Sequence, residues 1–177
     1  MLIIISKKSI LLSSLILMLI MFTIIMFFVN PLIDGVNGIG VIELQLSFTK
    51  EAGVEIINMW GSSGIEYFRQ WIFVDYIYAF SYSIFFASLL SMLILKKAKD
   101  TSLAYTWVVY LAFIAGAFDW IENTIELFFF RDPSDFSSTL FFFHSILATL
   151  KWLAVPVVVV YIFVLLIKSN KVDINVR

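Results

Sequence analysis

Four apolar runs, 9–29, 71–95, 103–130 and 140–167, each reach the roughly 20 residues that an α-helix needs to cross a bilayer, and together they take up most of the chain. Lipid offers no hydrogen bonds to a peptide group, so runs of this kind fold as helices, which pair their backbone internally. The expected fold is all-α: an integral membrane four-helix antiparallel bundle, with a partly helical outer loop over 30–70 between the first two spans. Of 177 residues, 62% are hydrophobic and 14% charged, and the mean hydropathy is +1.00. That composition lies outside the range of soluble domains and leaves no material for a second core, so 1–177 reads as one domain.

The first run is preceded by Lys7 and Lys8, as a secretory signal would be. Its apolar segment is longer than the roughly 7 to 15 residues of a signal, and no small-x-small site follows, so an uncleaved anchor is expected. Lys96, Lys97 and Lys99 lie between the second and third runs, and Lys168, Lys171 and Arg177 follow the fourth. The other side carries only Lys50, Arg69 and Arg131 among many acids. The positive-inside rule then places both termini in the cytoplasm of an inner or plasma membrane. No basic face is available to nucleic acid, and membrane lipids are the expected surroundings. The chain has no cysteine, which excludes disulfides, Fe–S clusters and cysteine nucleophiles.

Connections as long as 30–70 usually carry structure or function, and this one is a candidate surface for a protein partner. Asn30 to Gly40 is rich in turn residues. Thr49 can cap a helix running to Trp60 and closed by Gly61, and Ser63 with Glu66 has capping-box spacing for a helix leading into the second span. The alternation over 42–48 resembles a strand, but a lone strand has nothing to pair with, so helix or irregular chain is expected. Trp60, Tyr67 and Trp71 fit an outer aromatic belt, and Trp107 with Tyr105 an inner one. The chain holds 19 Phe, 7 Tyr and 5 Trp, so no single ring marks a ligand site.

The chemistry is concentrated in Asp119, Glu122, Asn123 and Glu126, which share one face of the third span at i, i+3, i+4 and i+7. Charged groups at membrane depth cost about 2.5 to 3.5 kcal/mol each on insertion scales, and they face protein, partner or water. His144 and Lys151 share a face of the fourth span, and Asp75, Tyr78 and Tyr82 a face of the second. Counted from the predicted boundaries, all of them fall in the outer half of the spans. Three polar stripes at one depth can converge on a small outward-facing pocket. Lys151 is expected to pair with Glu122 or Asp119. Pro156 leaves the Trp152 carbonyl without its helical donor.

The bland alternative is that these groups only hold helices together, at about 0.6 kcal/mol per contact. Within the group, Glu126 and His144 could be interfacial and solvated, Asp75 could cap or pair with Arg69 or Arg131, and the tyrosines could be packing.

Asp75 with Tyr82, Asp119 with Glu122 and Asn123, and Lys151 with Trp152 form a D-x-x-x-x-x-x-Y element, a D-x-x-E-N element and a K-W element in that order. In this the chain resembles a group of uncharacterised bacterial four-helix integral membrane proteins, over about 43–160, with D-x-x-E-N its most specific part. The resemblance supports this choice of residues and implies no activity.

Three functions compete. The first is binding of a lipid or small molecule in the outer pocket, with Asp119 and Glu122 as acid/base or orienting groups, Lys151 as their charge partner, and Asp75, Tyr78, Tyr82, Asn123, Glu126 and His144 as ligand contacts. No resident cofactor or metal is expected. A variant places Mg2+, Ca2+ or Mn2+ at Asp119, Glu122, Glu126 and Asp75, whereas one histidine cannot supply the usual zinc hydrolase set. Nor is a Ser-His-Asp hydrolase supported, because adjacent Ser145 and His144 point away from each other. The second is transport or proton movement, disfavoured by an inner half without ionisable groups. The third is a scaffold or accessory subunit, for which Ala112, Ala115, Gly116 and Ala117 would permit close helix contact.

Overall fold

A hydroxyl in an apolar helix must find a partner inside the helix itself, and the first long helix shows how. Ser13, Ser14 and Thr23 donate to carbonyls three or four residues back, at 3.2, 2.7 and 2.8 Å, so this helix presents almost pure hydrocarbon to its surroundings. The computed structural model of the protein describes residues 1–34, 40–97, 103–133 and 135–167. Lys99, Lys168, Lys171, Arg177 and residues 35–39 of the turn-rich 30–40 segment lie outside the described residues, as does the side chain of Tyr105.

The elements in order are α1 (Leu2–Ile5), α2 (Lys8–Ile24), a π-helical turn (Ile25–Val29), α3 (Asn30–Asp34), α4 (Val41–Gln45), α5 (Lys50–Lys97), α6 (Leu103–Phe129) and α7 (Ser138–Ile167). No strand occurs among the described residues, and 42–48 becomes α4 and a turn. Among the described residues four helices are long and apolar enough to cross a membrane: Lys8–Ile33, Lys50–Lys97, Thr106–Phe129 and Ser138–Ile167. Each overlaps one of the four runs read from sequence, and the second extends back from 71–95 to Lys50, into the segment expected as outer loop.

The local signals explain the boundaries. The Glu43 carboxylate accepts from the Gly40 N–H at 2.9 Å, one half of a capping box for α4. Thr49 Oγ1 accepts from the Ala52 N–H at 3.3 Å and starts α5. Gly61, at φ 66°, breaks α5 into two helices; a side chain there would occupy the left-handed region that only glycine enters freely. Glu66 accepts from Gln70 at 2.9 Å along the second of these helices. Ser137 Oγ accepts from the Leu140 N–H at 3.3 Å ahead of α7.

α5 is the centre of the packing. It lies against α2, α6 and α7, while α6 also packs along α7. Among the described residues α2 and α7 share no extended contact, so a cleft runs between them. Two apolar cores sit at opposite ends. One, near the loop, gathers Leu44, Ile57, Trp60, Phe129 and Phe141, and the other gathers Leu90, Ile94, Val108, Val109 and Leu165. At the α5–α6 crossing a Cβ on Gly116 would lie 2.7 Å from Ser83 Cβ, a separation no side chain tolerates. Ala112 and Ala115 are buried at the same contact, whereas Ala117 faces outward.

Trp60 corrects one expectation. It is not a belt residue but a buried one, 7% exposed, stacked on Phe68 and Phe130 with centroids 5.9 and 5.7 Å away. The part of α5 before Gly61 folds back against the start of the part after it and the end of α6, which puts the indole inside. Tyr67 and Trp107 remain exposed, as anchors would be.

Candidate functional site

Between the two apolar cores lies a layer in which α5, α6 and α7 each contribute polar side chains. The periodicity of α6 turns Asp119, Glu122, Asn123 and Glu126 inward together, and all four are buried. Lys151 of α7 reaches them. Its Nζ donates to Asp119 Oδ1 at 2.9 Å and forms an ion pair with Glu122 Oε2, also at 2.9 Å. The sequence offered one carboxylate or the other as partner; the ammonium takes both. Tyr82 donates to the second oxygen of Asp119 at 3.0 Å, so Asp119 is held from two helices.

Asp75 accepts from Asn123 Nδ2 at 2.7 Å, and this amide, rather than Arg69 or Arg131, is its partner. Tyr78 packs edge-on against Tyr82, with centroids 5.3 Å apart. One turn further along α6, Glu126 Oε1 and His144 Nε2 are 2.9 Å apart. Both side chains have 0% exposure. The alternative in which they are interfacial and solvated does not hold: α4 and the start of α5 cover them, and Phe129 and Phe141 flank the imidazole.

These groups divide into two sets. Asp75, Tyr78, Tyr82, Asp119, Asn123 and Lys151 line a cavity of about 250 Å3. Glu122, Glu126 and His144 do not line it and lie in the packed interior behind. The cavity opens along the cleft between α2 and α7. Its wall on the α2 side is hydrocarbon, formed by Phe22, Ile25, Met26 and Val29. Its roof is α4 and the turn that follows it, pinned to α7 by two bonds: Trp152 Nε1 donates to Gln45 Oε1 at 3.0 Å, and the Phe48 N–H donates to Ser145 Oγ at 3.2 Å. Phe48 adopts φ 59° to make that turn, a conformation a bulky residue holds only when its surroundings impose it.

Sequence reasoning missed Gln45 and the α2 wall, and named Trp152 only as part of the K-W element, not as a group at the pocket. Gln45 had a signal, as a lone amide between Leu44 and Leu46 that is 4% exposed once folded. The α2 residues had none, because an all-apolar helix does not mark the side that faces a cavity.

A volume of about 250 Å3 exceeds the roughly 150 Å3 that admits benzene and falls just short of the roughly 300 Å3 at which drug-sized sites begin. That volume matches the size of a headgroup or a ring system and is too small for a whole lipid. The wall carries two carboxylates and one ammonium. Asp75 is only half-buried, with Oδ2 the oxygen engaged by Asn123. Comparison with protein-family models, curated proteins and solved structures finds no match to this chain.

Proposed function

We propose that this chain is a multi-pass protein of an inner or plasma membrane, its four long helices forming an antiparallel bundle with both termini cytoplasmic, and that its outward-facing pocket binds a lipid or amphipathic small molecule. The single observation that carries the reading is the cavity between α2 and α7, with hydrocarbon on one wall and Asp75, Asp119 and Lys151 on the other. A molecule entering sideways would leave its apolar part in the cleft and bring its polar head to Asp75. With two carboxylates to one ammonium, and with Tyr78, Tyr82 and Trp152 around them, that head is a hydrogen-bond donor or a cation. Asp119, held by Tyr82 and Lys151, is the group placed to exchange a proton with it. Kinship with the bacterial four-helix membrane proteins that the D-x-x-E-N and K-W elements resemble belongs to the same proposal.

Transport along charged groups finds no support beyond the pocket among the described residues, because hydrocarbon from Leu90, Ile94, Val108 and Leu165 fills the core at that end. The experiment is native mass spectrometry of the protein released from nanodiscs, with extraction of bound molecules. Met26→Trp and Val155→Trp, which fill the cavity, should each abolish a co-purifying mass, and Asp75→Asn should weaken it. Leu153→Trp, at an outward position 62% exposed, should retain it. The proposal fails if wild type carries nothing beyond loosely held lipid, or if the cavity-filling variants bind as well as wild type.

A further inference from the structure

We propose that Glu122, Glu126 and His144 form a binding site for a divalent transition-metal ion, separate from the pocket and behind its wall. Glu122 and Glu126 are one turn apart on α6 and His144 faces them from α7. One ligand atom from each lies within 4.8 Å of the others. Bonds of about 2.0 to 2.2 Å to a tetrahedral ion place its ligands roughly 3.4 Å apart, so the three side chains close on an ion through small rotations.

The second observation is unsatisfied polarity. Oε1 of Glu122, Oε2 of Glu126 and Nδ1 of His144 are buried without a hydrogen-bond partner, Oε2 of Glu122 meets only the Lys151 ammonium, and all three residues have 0% exposure. Buried polar atoms are nearly always paired, and each exception requires an account. The ion pair from Lys151 reaches Glu122 from one side but is shared with Asp119.

Charge points the same way. Asp75, Asp119, Glu122 and Glu126 are four carboxylates within one layer, and Lys151 is the ammonium that faces them. A divalent ion among Glu122, Glu126 and His144 offsets two of those charges where water does not reach.

The donor set selects the kind of ion. The sequence suggested Asp75 and Asp119 as further oxygen ligands and hence Mg2+, Ca2+ or Mn2+, but both belong to the cavity wall. An imidazole in their place favours first-row transition ions such as Zn2+, Mn2+ or Fe2+ over oxygen-only cations. Phe129 and Phe141, with ring centroids 5.3 and 5.5 Å from that of His144, fix the imidazole and keep the surroundings dry.

The test uses the full chain without a histidine tag, purified in detergent. Metal content is measured by inductively coupled plasma mass spectrometry, and the chelator-stripped protein is then titrated with Zn2+ by calorimetry and with Mn2+ by electron paramagnetic resonance. Wild type should take up one ion per chain. Glu126→Gln and His144→Gln should each weaken binding by at least about tenfold, and Glu55→Gln, which removes an exposed carboxylate, should not. The proposal is overturned if wild-type protein binds neither ion stoichiometrically, a result independent of whether any variant folds. Binding that survives both triad substitutions overturns it equally.

Discussion

Replacing Lys151 by methionine isolates the energetics of the polar layer. The ammonium lies 2.9 Å from Asp119 and 2.9 Å from Glu122, and the three side chains are 8%, 5% and 0% exposed. Two magnitudes compete. A polar contact between membrane helices averages about 0.6 kcal/mol, whereas stripping one partner from a buried ion pair costs about 3 to 5 kcal/mol, because a charge is left in a dry interior. The second should dominate, since Asp119 would keep only its bond from Tyr82 and Glu122 would keep none. Lys151→Met should therefore lower stability by about 3 to 5 kcal/mol. At roughly 2 to 4 °C per kcal/mol for a chain of this size, that is a fall of about 6 to 20 °C in Tm. The assay is thermal unfolding in detergent micelles followed by tryptophan fluorescence. The triple variant Lys151→Met, Asp119→Asn, Glu122→Gln removes every charge of the group and should return to within about 1 kcal/mol of wild type. A single variant that melts within 2 °C of wild type, or a triple variant no better than the single, would refute the reasoning.

Other outcomes follow from the packing. Gly116→Leu should destabilise by about 1 to 3 kcal/mol through overpacking against Ser83, while Gly116→Ala combined with Ser83→Gly should melt close to wild type; chemical unfolding reads both. Gln45→Leu cuts the bond from Trp152 and should raise hydrogen exchange of amides 41–49 without changing that of α6, and equal protection in the two proteins would show that the roof is held otherwise. The chain has no native cysteine, so Glu55→Cys and Lys96→Cys can be labelled singly in intact cells. A membrane-impermeant maleimide should reach the first and not the second, and the reverse pattern would invert the proposed orientation.

The helices were legible because length and hydrocarbon content decide them in lipid, and α6 displayed its inward stripe because 119, 122, 123 and 126 repeat with the helical period. Lys151 was legible for a similar reason, as an ammonium in a span must find a carboxylate. What could not be read was tertiary. Glu126 and His144 looked interfacial from their distance to the helix ends, yet the fold-back of α4 and early α5 seals them. Trp60 passed for an anchor for the same reason. The cavity was invisible because it arises from a contact that does not form, between α2 and α7, and no pattern within either helix marks it. The division of the acids into a cavity set and a sealed set likewise depends on small differences in facing: Asn123 and Glu122 are neighbours in sequence, and one lines the cavity while the other does not.

The π-helical turn at Ile25–Val29 has a consequence for how this protein could be retuned. It accommodates one residue more than an α-helical turn, which offsets everything beyond it by about 100°. That offset helps set Val29 and Ile33 inward, at 7% and 2% exposure, while Phe27 and Phe28 point away at 72% and 61%. Excising a single residue from this turn would restore ordinary winding and swing Asn30 and Ile33 out of the recess, leaving the upstream part of the helix in place. Insertion or loss of one codon there is thus a phase dial, able to exchange the lining of one wall while the acids and the amine opposite stay where they are.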